Sequence, residues 1–330
     1  MNDATARGER REHSGEALAR RDTVQSLTDA ECALLEVGEW LREHQYTFTA
    51  ITPESHRRVN ARADEARSVR DIFGWSRPFA QALLPEHIVA ALRRADMIRS
   101  RDGQMVSGVR FATLGDQIFV HSAYPTVEDA AVFFGPDTYR FARFVASRIG
   151  SARLLVDIGA GSGAGAIAIA RSVERIVLAD INPRAGSFSR VNAHLAGVEH
   201  RTEVVDGDLY ANVSGDPDVI IANPPYLVDA AHRTYRDGGG SLGTDLGIRM
   251  VVRGLARLAP RGRFFLYTGA PIVDGVDPVR QALEEIARAA DAELTYEEID
   301  PDVFGEELDT PAYAHVDRIA AVGARIALRN

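Results

Sequence analysis

The chain predicts an α/β fold: a mostly parallel sheet with helices on both faces, and a smaller helical or α+β unit at its N-terminal side. From Arg153 onward, short continuous apolar runs alternate with helical patterns. Those runs lack the period-two alternation of a half-exposed strand, so both faces are expected to be buried. The length of 330 residues suits one α/β domain with an appendage.

Strands are expected over 154–158, 176–179, 202–205, 219–222 and 263–267, then near 293–299 and 318–328. Helices fall between them, among them 165–171 and 278–290. A Phe-Phe-Gly-Pro-Asp-Thr turn leads into an apolar helix over 139–149. On the N-terminal side, 23–70 reads as helical, with Leu34, Leu35, Val37, Trp40 and Leu41 in one stripe. Pro85 suits the first turn of a helix running to Leu92. Apolar runs flank Gly115-Asp116 as a hairpin would. Helix then hairpin has a winged-helix flavour; the plainer expectation is a cap that shapes a pocket. The expected divisions are a disordered tail over 1–22, a cap or substrate-recognition domain over 23–125, and a catalytic domain over 126–330.

Composition narrows the function classes. Apolar content of 45% and charged content of 26% are ordinary for a globular protein. No stretch approaches the ~18 apolar residues of a membrane span. The first 22 residues are charged and lack an apolar core, which argues against a signal peptide or anchor. A single cysteine, Cys32, excludes an intramolecular disulfide and a thiolate-rich metal site and fits the cytoplasm. Its apolar helical setting predicts a buried thiol. All 38 basic residues are arginine, which excludes a lysine-dependent phosphate loop and a Schiff-base lysine. Residues 1–110 hold 17 Arg and 17 acidic residues, whereas 111–330 hold 21 and 30, so the net charge of −9 sits in the second part. An acidic catalytic half matches a phosphate backbone poorly. No His, Cys and Asp cluster has metal-ligand spacing, so no metal is expected.

Four strand ends carry the chemistry. The first reads Asp157-Ile158-Gly159-Ala160-Gly161-Ser162-Gly163. Alternate glycines let the backbone turn sharply and approach a ligand. The leading carboxylate would repel a pyrophosphate but accept from the amino group of a cationic ligand. The second strand ends in Asp180-Ile181-Asn182, where an acid about 20 residues on can accept from two ribose hydroxyls. The third runs into Asp206-Gly207-Asp208-Leu209, where Asp208 can accept from an adenine amino group with Leu209 against the ring. An amino acid tail, a ribose and an adenine without phosphate describe S-adenosylmethionine. The fourth ends in Asn223-Pro224-Pro225-Tyr226. The prolines fix φ and hold the carbonyls in set directions. The Asn223 oxygen and the Pro224 carbonyl can then accept both hydrogens of one NH2 group, with the Tyr226 ring against its plane.

With these residues the chain resembles the class I methyltransferases, in particular the subgroup with an Asn/Asp-Pro-Pro-Tyr motif. That subgroup holds release-factor glutamine methyltransferases and adenine-N6 and guanine-N2 methyltransferases of DNA and RNA. The resemblance covers about 134–267 and implies a Rossmann-like seven-stranded sheet. Pro136-Asp137-Thr138 resembles part of a Pro-x-x-Thr-Glu segment that helps close over the donor, which implies a donor contact for Thr138. Gly243-Thr244-Asp245-Leu246-Gly247 is similar to a Gly-x-Asp-Gly-Leu segment without its Gly-Leu order. Residues 1–125 do not match the short bundle with which that family grips release factors.

The first reading is an N-methyltransferase acting on a protein glutamine or on an amide- or amine-bearing small molecule. The second is a nucleic-acid base methyltransferase, disfavoured by charge. The third is a protein that binds the donor without methylating. His232 is expected to be a solvated loop residue, as are Glu306, Glu307 and Asp309; lining the site, those acids would favour a cationic acceptor. The Gly238-Gly239-Gly240 run reads as a flexible loop.

Overall fold

The computed structural model describes residues 25–329. The expected disordered tail over 1–22 lies outside the described residues.

The N-terminal unit holds α1 (Asp29–Glu43), α2 (Pro53–Asn60), α3 (Val69–Phe73) and α4 (Glu86–Arg94), then two hairpins. These are β1 (Ile98–Arg101) with β2 (Gln104–Ser107), and β3 (Val109–Leu114) with β4 (Gln117–Ser122). The expectation of helix throughout 23–70 is corrected: extended chain over 44–52 and the 61–68 segment separate three helices. Thr52-Pro53 starts α2 and Ser68 caps α3, so each break has its own N-terminal signal. The β1–β2 hairpin was not expected, although Asp102-Gly103 marks its turn.

A capping box opens α1, in which the Glu31 amide donates to Thr28 Oγ1 and the Thr28 amide donates to Glu31 Oε2. Its buried stripe is Ala33, Leu34, Val37, Gly38 and Leu41. Cys32 falls one position outside that stripe and is exposed, which corrects the buried thiol. The stripe packs with α4, the β3–β4 hairpin and Phe188, Val191 and Leu195 of α7 (Pro183–Leu195) in one apolar core. A Cβ on Gly38 would stand 2.8 Å from the Leu195 methyls, so the two helices meet at close range. Asn192 of α7 donates to the Val120 carbonyl and accepts from the Val120 amide, closing β4 onto the same helix. The β3–β4 hairpin is buried along most of its length and is a support rather than a free wing.

Beyond α5 (Pro136–Ala146) the chain alternates β5 (Ala152–Ile158), α6 (Ala164–Ile167), β6 (Val173–Asp180), α7, β7 (Thr202–Asp206), β8 (Val219–Ala222), α8 (Asp245–Leu255), β9 (Arg263–Ile272), α9 (Pro278–Ala289), β10 (Ala292–Asp300) and β11 (Arg318–Leu328). Seven strands form one sheet in the order β10-β11-β9-β8-β5-β6-β7. β5, β6, β7, β8 and β9 pair in parallel, and β11 is antiparallel to both β9 and β10. β5 and β8 are buried almost throughout, as continuous apolar runs require when helices cover both faces. One face packs under α5 and α6, the other under α8 and α9. Strand order reverses at β5, between β6 and β8, which is where an open α/β sheet forms its ligand crevice.

Candidate active site

A cavity of about 400 Å³ lies at the C-terminal ends of β5, β6, β7 and β8. That is within the size range of small-ligand sites. Thr138, Asp157, Gly159, Ala160, Gly161, Asp180, Ile181, Asn182, Asp208, Leu209 and Asn223 through Tyr226 all line it. Of the residues singled out from sequence for donor or acceptor, Gly163 alone is off the wall. It stands at the entry to α6 with φ of 74°, and a Cβ there would be 2.9 Å from Leu178 Cδ1. Its glycine answers to packing and a left-handed turn.

Gly159 and Gly161 also have positive φ, 70° and 57°, so the β5–α6 turn presents bare backbone to the cavity. Asp157 is buried and accepts from the Ala166 amide at 3.2 Å. Burial, with one backbone donor in compensation, pushes its carboxyl up to about 7. Asp180 accepts from the Gly161 amide at 2.8 Å and the Asn182 amide at 2.9 Å. Burial raises its carboxyl despite those donors. Each oxygen keeps a lone pair for a ligand. Ile181 is exposed and Leu209 buried, and both face the cavity with apolar surface. Asp208 is solvated, 4.0 Å from Arg253 Nη1. Two carboxylates, bare glycine backbone and apolar walls fit a ligand with an amine, a hydroxylated sugar and a flat ring.

At the end of β8, the neighbour of β5, the Asn223 amide and the Pro224 carbonyl enter no hydrogen bond among the described residues. Tyr226 is held on three sides. Its hydroxyl donates to Asp137 Oδ2 at 2.5 Å, the Cδ2–Cε2 side of its ring lies against Gly269, and the ring stands steeply to Phe304 with centroids 5.8 Å apart. Burial, then the charge of Asp137, pushes the Tyr226 phenol far above its ordinary range, so it stays a donor. Asp137 Oδ1 also accepts from Tyr267 at 2.8 Å and from Arg140 at 3.2 Å.

The rim is formed by the loop after Tyr226. Tyr235 lies parallel to Phe133, 6.4 Å apart, and its hydroxyl donates to the Thr126 carbonyl. Arg233 grips Asp229 through Nε and Nη2 at 2.8 and 2.5 Å, which holds the Asp229 carboxyl down at about 2. Arg236 pairs with Glu307. Glu307 is therefore buried and paired, contrary to the expectation of a solvated acidic face, while Glu306 and Asp309 are exposed. His232 is well exposed and its Nδ1 lies 2.6 Å from Asp237. Gly238, Gly239 and Gly240 form a close-packed turn rather than a loose loop. The Gly238 amide donates to the Leu227 carbonyl, and a Cβ on Gly238 would stand 1.7 Å from the Gly243 oxygen. Glycine is needed there because two backbones touch.

Sequence reading missed Asp137, Tyr267, Gly269, Phe304 and the Arg236–Glu307 pair. A lone acid in an apolar helix was the available signal for Asp137; the others lie far apart in the chain and carry no spacing.

The sequence comparisons point to the same class of protein. The family model for the methyltransferase small domain matches residues 129–269. The release factor glutamine methyltransferase of Deinococcus radiodurans is 31% identical over 124 residues, 34% of this chain and 44% of that protein. Its counterpart from Moorella thermoacetica is 32% identical over 174 residues, 48% of this chain and 58% of that protein. The chain thus spans about half the length of the curated relatives it matches. Among solved structures, Trm5b of Pyrococcus abyssi aligns with a TM-score of 0.48 at 14% identity, over 74% of this chain and 71% of that one.

The sheet, the cavity and the sequence matches fit an S-adenosylmethionine-dependent methyltransferase. Within that class, the family that residues 129–269 match is the methyltransferase small domain.

Proposed function

We propose that this chain transfers a methyl group to the nitrogen of a planar NH2, with a protein glutamine side chain as the first candidate acceptor. The observation that carries this is the pair of unengaged acceptors, Asn223 Oδ1 and the Pro224 carbonyl, in residues that line the same cavity as the donor-binding turns. The names of the curated relatives support glutamine as the first acceptor to try. The N-terminal unit, taken as 23–125, braces α7 and contributes Pro53 to the cavity wall.

S-adenosylmethionine supplies an electrophilic methyl group on a sulfonium. In this reading Asp157 accepts from its amine, Asp180 from its ribose hydroxyls, and Ile181 and Leu209 flank its adenine near Asp208. Gly159, Ala160 and Gly161 give it bare backbone, and Thr138 covers it. Asn223 and Pro224 accept the two hydrogens of the incoming NH2 and turn its lone pair toward the methyl carbon. The same two oxygens stabilise the positive charge that grows on nitrogen as the N–C bond forms and the S–C bond breaks. The product nitrogen then loses its proton to solvent, so a strong general base is not required. Pro225 fixes the turn that delivers Tyr226.

Tritiated donor incubated with the protein and a fractionated lysate tests the reading. Label is expected in protein and recovered as methylglutamine after proteolytic digestion. Label in RNA or DNA would replace the acceptor, and label in none would end the proposal. Asn223→Ala is expected to bind donor within a few-fold and to lose about 10²–10³ in turnover, the scale of removing one aimed hydrogen-bonding group.

A further inference from the structure

We propose that Asp137 is the positioning residue that couples the donor half of the site to Tyr226. The inference rests on the methyl-transfer reading above and names the part that links its two halves. Asp137 lies in the first turn of α5, directly before Thr138, and both line the cavity. One turn later Phe141 reaches the same wall and packs on Gly165, where a Cβ would stand 2.4 Å from its Cε1. That contact lies beside Asp157, whose Oδ2 is 3.2 Å from the same Cβ position. The first turns of α5 are therefore wedged against the β5–α6 donor turn. From that turn the Asp137 carboxylate reaches across to β8's end. Oδ2 takes the Tyr226 hydroxyl at 2.5 Å and Oδ1 takes the Tyr267 hydroxyl of β9 at 2.8 Å. Arg140, one turn on, links Asp137 Oδ1 to Asp300 of β10, at 3.2 and 2.7 Å. Both carboxylate oxygens are thus occupied by protein donors. A ligand pressing on Thr138 and Phe141 moves the same rigid turn that fixes the Tyr226 ring. Asp137 acts through Tyr226 and does not itself touch the reacting atoms.

The test replaces the nine tyrosines with 3-fluorotyrosine. Resonances of Tyr226 and Tyr267 are assigned from Tyr226→Phe and Tyr267→Phe proteins, and fluorine spectra are followed as S-adenosylmethionine is added. The Tyr226 resonance is expected to shift with donor in the parent protein. In Asp137→Asn it should lose most of that shift while donor Kd changes less than about threefold. Transfer should fall roughly 10–100-fold in kcat with donor KM unchanged, the pattern of a lost transition-state contact. A Tyr226 resonance indifferent to donor, or one that responds equally in Asp137→Asn, overturns the proposal. If Asp137→Asn does not fold, Tyr226→Phe removes the same bond from its other end, and unaltered kcat there overturns it too. Failure of the parent protein to methylate anything would sink the methyl-transfer reading, and the fluorine response would still decide the role of Asp137.

Discussion

Gly269 lies against the Cδ2–Cε2 side of the Tyr226 ring: a methyl group on Gly269 would stand 2.3 Å from Cδ2 and 2.5 Å from Cε2. No carbon atoms sit that close without bonding, and both residues are on rigid ground. Gly269 is inside the ten-residue strand β9, and Tyr226 is tied to Asp137. In Gly269→Ala the ring has to leave, because Gly269 is held in register with Ala321 of β11. Transfer is expected to drop at least about tenfold, as for any misplacement near 1 Å at a reacting centre. Donor affinity should hold within a few-fold, and stability should fall by about 1–3 kcal/mol from overpacking. Donor titration calorimetry beside a transfer assay separates these effects; equal turnover in both proteins would show that the ring position does not matter.

How much of this site was legible beforehand follows from what each residue owes to its neighbours in sequence. Asp157, Asp180, Asp208 and Asn223 each follow an apolar strand, so periodicity alone aligns them at one edge of the sheet. The five parallel strands were readable for the same reason: buried parallel strands are short, apolar and bounded. Gly269 and Tyr267 sit inside such a strand, and nothing local marks one glycine among its small residues as a seat for an aromatic ring. Glu307 looked solvated because it stands among acids, and only the fold brings Arg236 from 71 positions away to bury it. The Cys32 expectation failed by a single helical position, about 100° of rotation. The extended chain over 44–52 was missed because tertiary contacts hold it: the Thr113 amide donates to the Phe48 carbonyl, and the Ala50 amide donates to the Tyr139 hydroxyl.

Donor affinity should depend on pH through Asp157. Burial raises its carboxyl to about 7, so in the free protein the neutral form predominates below that pH. A cationic amine is bound by the ionised form. Below pH 7 binding must therefore expel a proton, and Kd should rise about tenfold per pH unit. From about pH 7.5 up to the pKa of the donor's own amine it should be flat. Asp157→Asn should bind roughly 10–100-fold more weakly at pH 8, the range for losing a charged acceptor, with the slope below pH 7 gone. Calorimetry from pH 5.5 to 8.5 in buffers of different ionisation heat measures both affinity and proton release. A Kd independent of pH in the parent protein would separate Asp157 from the donor amine.

Glu307→Ala is expected to loosen the rim without touching the donor cavity. Glu307 is the partner of Arg236, which otherwise has, among the described residues, only the acid Asp229 at 3.7 Å, and Asp229 is already gripped by Arg233. Losing the pair removes the tie between the loop after Tyr226 and the segment 305–309. The expected cost is about 1–3 kcal/mol, the scale of a hydrogen bond to a charged group. Acceptor KM should rise while donor Kd stays constant. Limited proteolysis should also cut faster within 228–240. Identical cleavage rates in the two proteins would mean that the loop is held by other contacts, the Tyr235 hydroxyl foremost.

Mild acid should destabilise the N-terminal unit through a cluster of bases with no acid in contact among the described residues. His56 is fully buried, stacked on Tyr124 at 4.0 Å, with its Nε2 2.9 Å from the Trp75 carbonyl and its Nδ1 3.4 Å from Arg110 Nη1. Arg110 is buried too, and its register partner on β4 is His121, fully buried against Phe134. Arg77 also faces His56, but its guanidinium is taken by Asp71. Burial, then Arg110, drives His121 well below its ordinary value, and burial lowers His56 to about 4. Both histidines therefore fold neutral and unfold with ordinary affinity for a proton. As pH falls below about 6.5 the unfolded chain takes up protons that the folded chain refuses, so stability is full above that value and lost below it. The slope is about 1.4 kcal/mol per pH unit for each histidine, and for His56 it ends near pH 4. Urea unfolding at pH 7.5, 6 and 5 should show this loss, and His56→Phe should remove one histidine's share of it if the larger ring is accommodated. His56→Gln, smaller and unable to titrate, is the second check. A slope unchanged in both variants would place the acid sensitivity elsewhere in the fold.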